Sequence, residues 1–387
     1  MDFGFSQEQD MLRATARKFF ENECTSEFVR KRMEEPAGVT DQFWKALAEQ
    51  GWTGLVYPEE YGGSGLGFVD LIVLMEEMGR ASMPGPFFST VLLGGLTILE
   101  AGSPAQKKEW LTKISTGEAK ATLALTEPNA RWDAGGVTVT ARSADGGFVL
   151  NGTKLFVPDA HIADVIVVVA RTAEGKNSED GVSLFLVPKK TAGLEVKLLP
   201  TMDQTRKLCE VKLTDVRVSR EGVLGTPGAG WAPLSRVIQR ATVALCAEMC
   251  GGAQRVLDMT TEYAKIRIAF GKPIGSYQGV KHRAADMLVD VENAKSLTYY
   301  AAWAVDEKVP EAALAASMAK AYTSDAFRKV AGAGIQLHGG IGFTWEADVH
   351  WLFKRAQLDS RFLGDAAYQR ARVAELLRAG VTSSTRR

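Results

Sequence analysis

Val165-Ile-Val-Val-Val169 and Val182-Ser-Leu-Phe-Leu-Val187 are two runs of β-branched and aromatic residues, short enough for strands and parted by Gly, Asp and Asn. Similar runs flank them, Thr122-Leu-Ala-Leu125 and Gly147-Phe-Val-Leu150 on one side and Leu194-Glu-Val-Lys-Leu-Leu199 on the other, again between turn residues. They predict an antiparallel β-domain over residues 119–226. Outside that window the period changes from two to about 3.6.

Before it, Ser6-Gln-Glu-Gln9 reads as a capping box, and Met11, Leu12, Ala16, Phe19 and Phe20 follow at helical spacing. Thr40 or Asp41 caps a second helix with Phe43, Trp44 and Leu47. Tyr57-Pro-Glu-Glu-Tyr-Gly-Gly-Ser-Gly-Leu-Gly67 is too rich in glycine for a helix, and helices are expected from Phe68 to Arg80 and near Phe88 to Glu100. Beyond Gly225-Thr-Pro-Gly-Ala-Gly230, helical periodicity runs to Arg378, with Thr382 to Arg387 expected to fray. The Leu, Ala and Val stripe from Ala312 to Val330 reads as bundle interior. The plan is a multidomain α+β chain: helices over 1–118, the β-domain over 119–226, and a C-terminal four-helix bundle over 227–387.

Composition excludes several classes. Lys plus Arg equals Asp plus Glu at 46 each, so no global field favours nucleic acid or an anionic membrane surface. Cys24, Cys209, Cys246 and Cys250 lack the spacing of a metal shell and read as buried thiols. The four histidines are spread too widely for a metal site, and none is expected. Trp345 and Trp351 read as core. No apolar stretch is of membrane-spanning length and the opening residues lack the pattern of a secretory signal, so a cytoplasmic location without membrane insertion is expected.

Local motifs narrow the function. Thr126-Glu-Pro128, Asn151-Gly-Thr-Lys154, Gly225-Thr-Pro-Gly-Ala-Gly230, Arg267-Ile-Ala-Phe-Gly-Lys-Pro-Ile274, Gln278 and Gln336-Leu-His-Gly-Gly-Ile-Gly342 occur in one order along nearly the whole chain. In that order and at those separations the set resembles the acyl-CoA dehydrogenase family. The resemblance implies an FAD cofactor, an acyl-CoA thioester substrate, electron-transfer flavoprotein as electron acceptor, and a homotetramer or dimer of dimers. It implies that Thr126 meets the polar edge of the flavin, with Phe156 packing on the ring and Pro158 beside it. It also implies that Arg267, Phe270 and Gln278 reach the FAD of a neighbouring subunit, and that Gln336, Gly339 and Gly340 hold the ADP half. A guanidinium suits a diphosphate because it can grip it with two parallel hydrogen bonds.

The chemistry the family performs needs a carboxylate base, usually the Glu of a Tyr-Glu-Gly-Thr segment before the last helix. The matching residues here are Phe362-Leu363-Gly364-Asp365, so Leu363 occupies the base position. Some members carry the base on the first long helix of the last domain, where this chain has Ala241. Leu363 and Ala241 are then expected to line the acyl pocket with residues 84–91. Asp365 is the substitute base within that segment, and Glu248 reads as a structural carboxylate. The family's Gly-Ser-Asp and Trp-Ile-Thr segments appear as Arg131-Trp132-Asp133 and Phe156-Val157-Pro158. Pro158 has no N–H to offer a flavin. Asp133 and Asp159 read as loop caps. Three readings follow: a dehydrogenase of a cyclic or otherwise unusual acyl-CoA, a base-lacking subunit beside a sister that keeps the Glu, or a non-oxidative acyl-CoA-binding or eliminating homologue.

Overall fold

The computed structural model describes residues 4–384. The chain separates into two compact units, one of Arg32–Leu66 and Pro84–Ala241, the other of Met1–Lys31, Gly67–Met83 and Thr242–Arg387.

The unit that contains residues 84–241 is built on a sheet of β1 (Ala121–Ala124), β2 (Thr140–Ala144), β3 (Gly147–Pro158), β4 (Val165–Arg171), β5 (Val182–Pro188), β6 (Leu194–Leu199), β7 (Leu208–Ser219) and β8 (Val223–Leu224). Its order is β6-β7-β3-β2-β4-β5-β8, and β1 joins through β4. Most pairs are antiparallel, as expected, but β1 lies parallel to β4 with Ala121 opposite Val165, and β2 meets β4 in parallel at Thr140. β4, apolar but for its last residue Arg171, is buried along almost its whole length, which fits a strand covered on both faces. Leu150, Val157, Ile166, Val168, Phe185, Cys209, Val211 and Val216 form the core.

Three features of this unit were not predicted. β2 and the long β7 were missed, because their exposed faces carry Arg, Glu, Lys and Asp and each run reads as polar. The stretch near residues 88–100 is helical as expected, but Phe88–Gly95 is a π-helix that passes into a short α-helix at Leu96–Ala101. The Tyr57 hydroxyl donates to the Val91 carbonyl at 2.8 Å, and a Cβ on Gly95 would lie 1.9 Å from that hydroxyl. The inserted phenol thus offers an outside partner to a turn too wide for the usual ladder.

The other unit is helical. α1 (Gln7–Glu23) starts at the expected capping box, with the Gln9 amide donating to Ser6 Oγ at 3.2 Å. It packs with α4 (Phe68–Arg80), and α4 in turn packs with α8 (Gln278–Asp306). α9 (Ala312–His338) lies against α8, α10 (Val349–Asp359) and α11 (Ala366–Ser384). α11 therefore runs past Thr382, where fraying was expected; residues 385–387 fall outside the described range. α7 (Trp231–Ile266) reaches α4 through facing glycines: a Cβ on Gly251 would sit 1.8 Å from the Glu76 carbonyl, and one on Gly79 would sit 1.9 Å from that of Glu248. Backbones this close admit no side chain. Arg13 and Tyr299 converge on the buried Glu76 at 2.8 and 2.6 Å, so this buried carboxylate is paired. Of the remaining helices, α3 (Asp41–Glu49, capped by Thr40), α5 (Leu96–Ala101) and α6 (Pro104–Ser115) belong to the sheet-based unit, and α2 (Ser26–Glu34) is divided between the two.

Candidate functional site

The expected site residues fall into one group in the sheet-based unit and two in the helical unit. In the sheet-based unit, Thr126 follows β1 and is buried. Its carbonyl accepts the Leu155 amide at 2.8 Å. The neighbouring Glu127 is fixed more firmly: it accepts the backbone amides of Thr138 and Val139 at 2.9 and 3.0 Å and meets the fully buried Lys154 ammonium at 2.7 Å. Lys154 also donates to the Leu125 carbonyl at 3.0 Å, so the motif lysine grips both sides of Thr126. Burial pushes Lys154 down to about 8 against the pull of Glu127. Burial also works against the Glu127 carboxylate, but Lys154 and the hydrogen bonds outweigh it and hold Glu127 below its ordinary range. The pair is ionised at neutral pH.

Phe156 sits in left-handed backbone at φ 56° with its ring 43% exposed, and Asp159 is left-handed at φ 53°. Pro158 is buried, its carbonyl accepting the Thr122 hydroxyl at 2.6 Å. Asp159 is buried and takes the Ser89 hydroxyl at 2.6 Å, which makes it more than a loop cap. Asp133 pairs with Arg131 at 2.7 Å. A large apolar residue at positive φ costs on the order of 1–3 kcal/mol and marks a place where the surroundings dictate the backbone.

In the helical unit, Ile268–Ala269 and Lys272–Pro273 form a two-residue hairpin whose turn is Phe270 and Gly271, at φ 50° and 80°. Such turns need both central residues left-handed and favour Asn-Gly, so Phe270 is a strained choice. Phe270 is 96% exposed and so lies outside the chain's own core. The Tyr277 hydroxyl braces the tip by donating to the Ala269 carbonyl at 3.0 Å. Arg267 and Gln278 are exposed on either side of this hairpin, Gln278 as the first residue of α8. Gln336 is exposed in the last turn of α9, and Gly339 ends that helix at φ 65°. A Cβ at Gly339 or Gly340 would meet nothing within 4 Å, so that backbone is open to close approach. His338 is buried, held to the Gly334 carbonyl at 2.7 Å and stacked on Tyr263 at 4.6 Å. Trp351 is core as expected, but Trp345 is 57% exposed, with Lys354 over its ring.

The turn between α10 and α11 holds the expected base position. Leu363 is 2% exposed at φ 59°, and Gly364 follows at φ 91°. Asp365 is exposed and caps α11, accepting the Tyr368 amide at 2.8 Å. That capping geometry gives Asp365 a structural task. Ala241 is fully buried on α7. Glu248 is buried and ion-paired with Arg355 at 3.4 Å, in keeping with a structural carboxylate.

Sequence reasoning missed Lys320. Inside the apolar stripe of α9, its ammonium is fully buried and donates to Ser324 Oγ at 2.9 Å and to the carbonyls of Asp359, Ser360 and Gly364 at 3.0, 3.2 and 3.2 Å. Gln369, also buried, donates to the Leu363 carbonyl at 2.9 Å. These two side chains fix the turn that carries Leu363. Burial pushes Lys320 down to about 8, against the opposing pull of Cys246 and Asp359. A lone Lys within an apolar stripe was the available signal, since a cation is buried only with partners. All four cysteines are buried and free, and burial raises Cys24 and Cys246 to about 12. Among the described residues no group of three or more His, Cys, Asp or Glu is placed to hold a metal ion, and no helix is long and apolar enough to cross a membrane.

Sequence profiles of the acyl-CoA dehydrogenase N-terminal, middle and C-terminal domains match residues 6–118, 122–216 and 228–377. A probable acyl-CoA dehydrogenase of Bacillus subtilis is 32% identical over 383 residues, covering 97% of this chain and all of that protein. A subunit of the caffeyl-CoA reductase-Etf complex of Acetobacterium woodii is 31% identical over 96% of this chain and 99% of its own. Among solved structures, a chain of the ChsE4-ChsE5 complex from Mycobacterium tuberculosis superposes with a TM-score of 0.89 at 27% identity, covering 98% of this chain and 99% of that one.

Proposed function

Since this chain belongs to the acyl-CoA dehydrogenase family, we propose that it is an FAD-containing subunit that works beside a sister chain carrying the catalytic carboxylate. One observation carries this reading: Leu363, the residue that the sequence resemblance matches to the family's base, is aliphatic, 2% exposed and held in a strained turn. No carboxylate of that turn replaces it, because Asp365 is exposed and spends an oxygen on the cap of α11. Losing a positioned base costs on the order of 10²- to 10⁴-fold in rate while leaving binding largely intact. Proton removal from an acyl-CoA thioester then falls to another polypeptide. The neighbouring ChsE4-ChsE5 structure is named as a two-component complex, which favours the sister-subunit reading over a solitary dehydrogenase of an unusual acyl-CoA.

The residues present suit FAD. An exposed guanidinium at Arg267, exposed amides at Gln278 and Gln336 and the open Gly339-Gly340 backbone together make a donor set for a diphosphate and ribose. An aromatic ring left 96% exposed on a braced hairpin, Phe270, has the surface to cover an adenosine from a neighbouring chain. The cofactor, when bound, accepts the hydride. This chain's part is to place the polar edge at Thr126, which the Glu127 and Lys154 pair fixes from both sides, and to cover the ring with Phe156. Pro158 removes a donor from that surface. In this reading the electrons leave to an electron-transfer flavoprotein, as the name of the Acetobacterium woodii relative suggests.

The test is co-expression with sister chains that retain the glutamate, followed by native mass spectrometry and flavin quantification. A mixed assembly with thioester-dependent activity, against an inactive homomer, is expected. A homomer as active as the mixture would sink the reading.

A further inference from the structure

The helical unit encloses a cavity of about 270 Å³ that includes none of Leu363, Gly339 or Gly340. Its polar wall carries three guanidiniums with unequal surroundings. Arg17 grips Glu77 with two bonds of 2.7 and 2.9 Å, and Arg80 is held by Asp258 at 2.5 Å. Arg255, on α7, has no hydrogen-bonded or ion-paired carboxylate among the described residues. Burial lowers its affinity for the proton, the Arg80 charge lowers it further, and Asp348, Asp258 and Glu21 act on it only at a distance. Asp348 is itself engaged by Arg30 at 2.6 Å.

A second observation points to a ligand independently. Ser82 lines the same cavity, is 2% exposed, and its hydroxyl has no hydrogen-bond partner. It also sits at φ 49°, a conformation serine adopts rarely. A buried orphan hydroxyl lowers stability, and the backbone strain adds to that. An unpaired guanidinium and an unpaired hydroxyl lining one cavity are groups that a bound oxyanion would satisfy together. Phe20, Val29 and Leu352 add apolar lining to the same cavity. Among the described residues that line the cavity only one cation is uncompensated, and Glu21 and Glu77 also line the space, so charge balance favours a monoanion over a phosphate dianion.

We propose that this cavity binds a small organic monocarboxylate, its oxyanion on Arg255 and Ser82 and its apolar body against Phe20, Val29 and Leu352. The site is independent of the flavin and of the base position. Isothermal titration of the full-length protein with hexanoate tests it, with hexan-1-ol and inorganic phosphate as comparison probes. Saturable hexanoate binding at one site per chain is expected, weakened at least about tenfold in Arg255→Gln by loss of a charge-assisted bond. Hexanol and phosphate should bind at least about tenfold more weakly than hexanoate. Ser82→Gly relieves the left-handed backbone, so it should fold as well as the parent, and losing the hydroxyl should weaken hexanoate about fivefold. Hexanoate affinity unchanged in both variants would place the ligand elsewhere and overturn the proposal. Phosphate binding as tightly as hexanoate would overturn the ligand class, and absence of saturation below about 10 mM would overturn the site.

Discussion

Replacing Lys320 by Met should loosen the turn that carries Leu363, and the size of the effect follows from its contacts. The ammonium serves the carbonyls of Asp359, Ser360 and Gly364, at 3.0–3.2 Å, in a fully buried setting. A methionine fills the volume and satisfies none of them. Three orphaned carbonyls at about 2 kcal/mol each cost about 6 kcal/mol. Against this stands the burial of the ammonium, which lowers Lys320 from 10.5 to about 8 and whose removal returns about 3 kcal/mol. The net loss is about 3 kcal/mol, or roughly a hundredfold in the local opening equilibrium. Native-state hydrogen exchange at the Arg361, Phe362 and Gly364 amides, which are bonded within the turn, reads this directly. The pH dependence has a definite sign. Folded Lys320 gives up its proton near pH 8, whereas the opened chain keeps it to about 10.4, so between these values the opened state binds more protons. Protection of the turn, corrected for intrinsic exchange, therefore rises with pH across that window in the parent, and the burial cost is fully present below it. Lys320→Met should lack the rise. Protection unchanged by the substitution, or an identical pH slope in both proteins, would refute the reasoning.

Leu363→Glu places a carboxylate at the base position without changing the backbone demand, since both residues pay the same cost for φ 59°. Thioester-dependent dye reduction should rise by at least about a hundredfold, and no rise would count against a simple missing base. Lys154→Met strands Glu127 inside the sheet-based unit and should cost about 3–5 kcal/mol, seen as a lower thermal midpoint with loss of bound flavin. Gly251→Ala forces a Cβ to within 1.8 Å of the Glu76 carbonyl, so α4 and α7 must part; a loss of at least about 1–3 kcal/mol is expected in thermal unfolding, and an unchanged midpoint would show that the contact relaxes freely.

Much of the helical plan was legible because capping and periodicity leave marks that tertiary packing does not erase. The Ser6 capping box and the helix of Phe68–Arg80 are where local chemistry puts them. The misses share a cause, which is that partners distant in sequence decided the outcome. β7 reads Leu208-Cys-Glu-Val-Lys-Leu213, an alternation that becomes a strand through its pairing with β3 and β6. The π-helix at Phe88–Gly95 goes with a phenol from Tyr57, and Lys320 is tolerated in an apolar stripe because carbonyls far along the chain meet it. Phe270 does not announce a hairpin tip, because Asn or Gly is the usual residue where the backbone turns left-handed. At the candidate site, motif order singled out the residues to inspect, while the left-handed backbone at Phe156, Phe270 and Leu363 has no signature in residue type.

The central claim is that this chain supports an FAD site while lacking the proton acceptor of its family. Anaerobic titration of the purified, flavin-loaded homomer with a panel of acyl-CoA thioesters, monitored through the visible flavin band, tests it most directly. The account predicts that thioesters perturb the band without bleaching it, and that bleaching appears once a glutamate-bearing sister chain is assembled with it. Rapid bleaching of the homomer by any thioester would contradict it.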